Sequence, residues 1–145
     1  MLTLRENTKP VYAKGVKIGC GGVVVQSMCN TKTADVGATL EQIKGLVEEG
    51  CEIVRLAVPD MEAAKAFDKI CSSVDIPVVA DIHFDYKLAL ECVKNGAAKI
   101  RINPGNIGGM DRVEAVAKAC RENNIPIRIG VNMGSIDKEM EKQYG

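Results

Sequence analysis

PVVADIHFDYKLALECVKNGAAKIRIN, residues 77–103, is the stretch that decides the fold. Its two ends, PVVADIH (77–83) and AKIRIN (98–103), are rich in Val and Ile, as suits short strands covered on both faces. Between them Leu88, Ala89, Cys92 and Val93 recur at helical spacing over residues 86–95, and Asn95-Gly96 stops the pattern. Strand, helix, strand in so short a span predicts two parallel strands joined by a right-handed crossover. Working outward, the same unit repeats. VVVQS (23–27), EIVRLAV (52–58) and PIRIGVN (126–132) read as further strands. TLEQIKGLVEEG opens at Thr39 with Gln42 three residues on, which predicts a capping box, and closes on Gly50. Asp60 to Ser73 predicts a helix burying Ala63, Phe67 and Ile70. Residues 111–123 predict another, with Asp111 as its N-cap and Val113, Val116, Ala117 and Cys120 as its apolar stripe. Ahead of all these, KPVYAKGVKIG predicts a small hairpin turning at Lys14-Gly15.

Alternating β and α fits both a barrel and an open doubly wound sheet. The polar residues separate them. Period-2 alternation places Gln26, Arg55, Asp81, His83, Arg101, Asn103, Arg128 and Asn132 on one face, with Val and Ile of the same strands on the other. A sheet covered by helices on both sides has no room for so many polar side chains, whereas a barrel interior opening at its C-terminal mouth does. A complete barrel takes ~250 residues, and this chain has 145. The expectation is an α/β fold: about five βα units from the N-terminal portion of a TIM-type (β/α)8 barrel, preceded by the hairpin, with residues 1–145 as one partial domain. The tail IDKEMEKQYG reads as a short helical turn.

Composition removes several classes of function. Lys plus Arg equals Asp plus Glu at 19 each, so no net field favours nucleic acid or an acidic membrane. Five aromatics (three Tyr, two Phe) are too few for a platform that stacks single-stranded bases. The start, MLTLRENTKP, lacks the apolar stretch of a signal peptide, and no run approaches a membrane span. Six cysteines (Cys20, Cys29, Cys51, Cys71, Cys92, Cys120) with no C-x-x-C pair read as reduced thiols of a cytoplasmic protein.

Arg55, Arg101 and Arg128 sit inside otherwise apolar strands, half of the six arginines in the chain. A guanidinium cannot lose its charge near neutral pH, and taking that charge out of water costs several kcal/mol unless an anion or a full set of acceptors meets it. One reading is an internal ion-pair lattice on Asp81 and a second carboxylate. The other is a clamp on phosphate or carboxylate, favoured because only one acid stands among the inward positions and planar forks suit such oxyanions. Asn103-Pro104-Gly105-Asn106-Ile107-Gly108-Gly109 follows a strand and precedes a helix, where backbone amides approach an anion, or it is an ordinary Gly-rich loop. Gly19-Cys20-Gly21-Gly22 precedes a strand and reads as a turn. His83, the single histidine, is either a hydrogen-bonded structural residue or a group that donates to an anion or moves a proton at the mouth. Asp81 is the other candidate for catalysis. No set of His, Cys and acids has metal-ligand spacing.

VVVQSMCNTKTADVGATLEQI, GCEIVRLAVPDMEAA, IPVVADIHFDYKLAL, KIRINPGNIG and IPIRIGVNMGS follow in order over most of residues 20–135. On these stretches the chain resembles the N-terminal part of the 4-hydroxy-3-methylbut-2-enyl diphosphate synthase family of the non-mevalonate isoprenoid pathway. The resemblance implies a barrel joined to a second domain that holds a [4Fe-4S] cluster through three cysteines and a glutamate. It implies an oxidoreductase that reduces 2-C-methyl-D-erythritol 2,4-cyclodiphosphate by two electrons, opening the ring and expelling water. Flavodoxin or ferredoxin is the implied electron donor, and a homodimer the implied full-length state. Arg55, Arg101 and Arg128 would then bind the diphosphate, with Asn103, Asn132, His83 and Asp81 lining the same mouth and Gln26 a weaker candidate. Cys29 and the other thiols do not match the family's cluster ligands, so no cofactor or metal ligand is expected in this chain. The expectation is an N-terminal fragment or one part of a split protein, inactive alone. Two alternatives stand beside it: a non-catalytic diphosphate-binding piece, or another phosphate-binding barrel of the pterin-synthase-like type.

Overall fold

The computed structural model describes residues 4–131 and 142–143. Asn132 and most of the tail IDKEMEKQYG therefore lie outside the described residues. A 3-10 turn at Arg5–Asn7 precedes an antiparallel hairpin, β1 (Val11–Ala13) and β2 (Val16–Ile18), turning at Lys14 and Gly15, both with positive φ. Then come β3 (Gln26–Met28), α1 (Val36–Glu48), β4 (Ile53–Ala57), α2 (Met61–Ser73), β5 (Val78–Ile82), α3 (Tyr86–Lys94), β6 (Lys99–Ile102), a one-turn helix α4 (Pro104–Ile107), α5 (Met110–Glu122) and β7 (Ile127–Ile129). Strands β3 to β7 form one parallel sheet in sequence order, with helices as the crossovers. This is the expected partial barrel.

The outer face of the sheet is the main core. Val54, Leu56, Val78, Ala80, Ile82, Ile100 and Ile102 meet Ile43, Phe67, Ile70, Leu88, Cys92, Val116 and Cys120 from the helices. Truncating a residue such as Ile100 or Phe67 to Ala would cost about 2–5 kcal/mol. Over β7 the described residues supply no covering helix, and Ile129 stands exposed. A second, smaller cluster occupies the N-terminal end of the inner face. There Ala13 and the partly buried Val16 and Ile18 of the hairpin pack on Ile53, Val79 and Ala98. The hairpin thus closes the bottom of the concave side, and Lys14 ties it to the end of α2 by donating to the Val74 carbonyl at 2.8 Å.

Four local expectations need correction. The first strand starts at Gln26, not Val23: Val23 and Val25 remain exposed, and pairing with β4 begins where the Val25 carbonyl accepts from Glu52 and Ile53. Helix α1 starts a turn before Thr39, because Asp35 caps it by accepting from the Ala38 amide at 3.1 Å. Thr39 and Gln42 fasten the β3–α1 loop instead: Thr39 Oγ1 donates to the Lys32 carbonyl, and Gln42 Oε1 accepts from the Asn30 and Thr31 amides. Gly50 does end α1, in the left-handed conformation (φ +87°). Helix α5 begins at Met110 with Gly109 as N-cap, so Asp111 lies in the first turn, where its charge suits the helix dipole. The segment 103–109 is not an open loop but contains α4, capped by Asn103 Oδ1 on the Gly105 amide at 3.1 Å. Gly19 to Gly21 form the expected turn, held by the Cys20 amide donating to Thr8 Oγ1.

Candidate functional site

In-register partners on adjacent strands share a face, and the pairing runs Arg55↔Val79↔Lys99 in one row and Ala57↔Asp81↔Arg101↔Arg128 in the next. Arg55, Asp81, Lys99, Arg101 and Arg128 therefore all stand on the inner face with Gln26 of β3, the row of Asp81, Arg101 and Arg128 toward its C-terminal end and Lys99 and Gln26 at the starts of their strands. Asp81 is the hub. It is 1% exposed, and it faces Arg101 Nη1 through Oδ1 at 3.0 Å and Arg55 Nη2 through Oδ2 at 3.1 Å. Its Oδ2 also lies 3.5 Å from His83 Nε2, just past the end of β5.

The two arginines are held differently. Arg101, 11% exposed, makes a directed hydrogen bond to Asp81 and a long one from Nη2 to the Gly130 carbonyl at 3.4 Å. Its guanidinium lies so close to Gly130 that a Cβ there would come within 2.5 Å of Nε, so only glycine admits this pose. Arg55, 25% exposed, is near Asp81 in distance but lacks hydrogen-bond alignment with Oδ2. Its buried Nε has no acceptor among the described residues. Such a donor costs about 1–3 kcal/mol while unmet. Arg128 is exposed and has no ion pair or hydrogen bond among the described residues. The ion-pair reading thus holds for Arg55 and Arg101 and fails for Arg128, with no second carboxylate at this face among the described residues.

Of the remaining candidates, His83 is 47% exposed at the mouth. Asn103 is buried and caps α4. Gln26 accepts from Lys99 Nζ at 3.4 Å. Two residues escaped the sequence reading. Lys99 shares the parity of Arg101 in KIRIN and was in plain view. Gly130 matters only through what packs on it, which no spacing reveals.

The charge on this inner face is lopsided among the described residues: Arg55, Lys99, Arg101 and Arg128 against Asp81 alone. At ~7 Å two such cations repel by ~2–3 kcal/mol at an effective dielectric of ~20, a cost that a multivalent anion reverses. Four of the six thiols are pushed above the ordinary range by burial. Burial pushes Cys29 up to about 11, with Cys51 adding to it, and burial does the same to Cys120. Cys92 is raised further by burial. No group of three or more His, Cys, Asp and Glu converges among the described residues. An iron–sulfur cluster does not fit the residues present. Nor is any described helix long and apolar enough to cross a membrane.

Comparison with solved structures places this architecture. The chain superposes on a Yersinia pestis dihydropteroate synthase with a pterine-sulfa conjugate at TM-score 0.68 and 14% identity, covering 93% of this chain and 54% of that one. A Stenotrophomonas maltophilia dihydropteroate synthase gives 0.63 at 16% identity, over 88% and 50%. At such identities the likeness concerns the fold alone. Sequence relatives are far nearer. The 4-hydroxy-3-methylbut-2-en-1-yl diphosphate synthase (flavodoxin) of Clostridium perfringens is 56% identical over 97% of this chain and 41% of its own length. That of Halalkalibacterium halodurans is 56% identical over 99% and 40%, and that of Pseudomonas aeruginosa 52% over 98% and 38%. The chain spans about two fifths of these relatives. The GcpE TIM-barrel domain matches residues 8–145; with a half-barrel of the right topology and an identity above one half to those synthases, the chain belongs to the GcpE TIM-barrel family.

Proposed function

We propose that this chain is the diphosphate-binding barrel part of a 4-hydroxy-3-methylbut-2-enyl diphosphate synthase, acting on 2-C-methyl-D-erythritol 2,4-cyclodiphosphate in isoprenoid biosynthesis. One observation carries the reading: among the described residues, Arg55, Arg101 and Arg128 outnumber their one carboxylate, Asp81, and Arg55 Nε is a buried donor without an acceptor. A diphosphate supplies both the charge and the acceptors. Asp81 and Gly130 fix Arg101 as a rigid fork, while Arg55 and the exposed Arg128 turn toward the anion. His83 stands where it donates to a phosphoryl oxygen or passes a proton at the mouth, and Asp81 orients its ring through Nε2. Asn103 and, outside the described residues, Asn132 are the remaining proposed substrate contacts.

The reduction itself needs two electrons that no described residue carries. They are assigned to a [4Fe-4S] cluster held outside this chain. Flavodoxin, the word in the relatives' names, is the proposed donor, with ferredoxin the other expected one. A cytoplasmic homodimer is the proposed state of the full-length protein.

Calorimetric titration of the full-length protein with the cyclodiphosphate tests the clamp. Replacing Arg55, Arg101 or Arg128 singly by Ala should weaken binding by ~1.5–3 kcal/mol, the range for charged hydrogen bonds. Unchanged affinity in two of the three variants would end the diphosphate reading.

A further inference from the structure

Lys99 lies on the inner face of β6, two residues below Arg101, and is 8% exposed. Its ammonium crosses the concave interior to Gln26 on β3, two strands beyond its own neighbour β5, and finds one neutral acceptor at 3.4 Å. One long bond is poor compensation for a buried ammonium with three donors. The charged and titratable groups around it are Arg55 from β4, Asp81 and His83 from β5 and its end, Arg101 from its own strand and Arg128 from β7. The hairpin beneath presents Ala13, Val16 and Ile18, all apolar. Asp81 offers little relief, since both its oxygens already face arginines.

We propose that Lys99 is a proton acceptor coupled to anion binding: it takes a proton from water as a diphosphate-type anion enters the mouth, and returns it when the anion leaves. The inference rests on the diphosphate reading above and adds a role for a residue that reading does not use. Three arginines less one carboxylate leave this face at +2 with the amine neutral, and each protonation of Lys99 raises it to +3. With the mouth empty that last charge is opposed. Burial acts first, then Arg128 and Arg55, and all three hold Lys99 below the ordinary lysine range. A multivalent anion between the arginines reverses the sign of the field and draws the proton in. Affinity is then insensitive to this residue at pH values where the empty protein already holds the proton, falls as pH rises from the range in which Lys99 of the empty protein releases it to the range in which the loaded protein does, and levels off above.

Titration calorimetry with inorganic pyrophosphate on the full-length protein decides it. Two buffers of different ionisation enthalpy are compared at each point between about pH 7 and pH 10, bracketing the ordinary lysine range. Wild-type protein should take up between roughly a third of a proton and one proton more per anion than Lys99→Met. The subtraction cancels protons exchanged by pyrophosphate itself. Lys99→Gln serves as a second neutral variant, and Lys99→Arg, permanently charged, should show no extra uptake. Equal proton counts in wild type and both neutral variants, with binding intact, would overturn the proposal and leave the diphosphate reading standing. Failure of wild-type protein to bind pyrophosphate would remove both.

Discussion

Asp81 stands between two guanidinium groups on the inner face, and its position explains why the arrangement holds together without a ligand. A single carboxylate keeps two guanidinium groups from repelling each other into solvent. Removing it leaves buried charge unpaired, a loss of about 3–5 kcal/mol. We therefore expect Asp81→Ala in the full-length protein to lower unfolding stability by that order, and saturating pyrophosphate to recover part of it by standing in for the missing charge. Urea unfolding with and without pyrophosphate measures both, and an Asp81→Ala protein of wild-type stability would contradict the hub role. Alternation of polar and apolar residues was enough to put Arg55, Asp81 and Arg101 on one face from sequence. It did not show that Asp81 is divided between two arginines while Arg128 has no partner among the described residues, because spacing fixes a face and not a rotamer. Gly130 was illegible for a related reason: its importance lies in the guanidinium pressed against its backbone.

At the scale of elements, helix existence was readable and helix starts were not. Asp35 and Thr39 both carry capping chemistry one turn apart, and Val36, Gly37 and Ala38 do not oppose the earlier start. Asp35→Ala should cost about 0.5–2 kcal/mol through the lost cap, seen as a lower Tm with the β3–α1 loop unchanged. Thr39→Val should instead loosen the loop, with faster amide exchange at residues 30–33 and the helix start retained. The opposite assignment of effects would restore Thr39 as the cap. The thiols packed between helices and sheet give the pH response of these layers. Cys29 and Cys120 titrate near 11 in the folded chain, raised by burial, against about 8.5 when unfolded. A raised folded pKa means stability is full below the unfolded value and is lost as pH climbs through the folded one. Stability should decline between about pH 8.5 and pH 11 by roughly 3 kcal/mol per buried thiol. Denaturant midpoints across that range, compared with Cys120→Ala, test it; a variant with the same alkaline slope as wild type would refute the assignment.

For the whole molecule, the described sheet has two unpaired parallel edges, β3 and β7, and an uncovered apolar strip at Ile129. Such edges recruit other strands. Expressed as residues 1–145 alone, the polypeptide should self-associate, and light scattering over a concentration series should show mass rising with concentration. A monodisperse monomer throughout would mean that the edges are protected. The barrel character was legible from the polar face of the strands, and the five described parallel strands form an open arc rather than a closed circle. What the polar face could not announce is how the hairpin seats itself on Ile53, Val79 and Ala98. That seat makes the interior a cul-de-sac. On the proposed function, with the barrel closed, whatever is admitted at the top departs by the same doorway, so arriving reactant and departing product take turns and each obstructs the other.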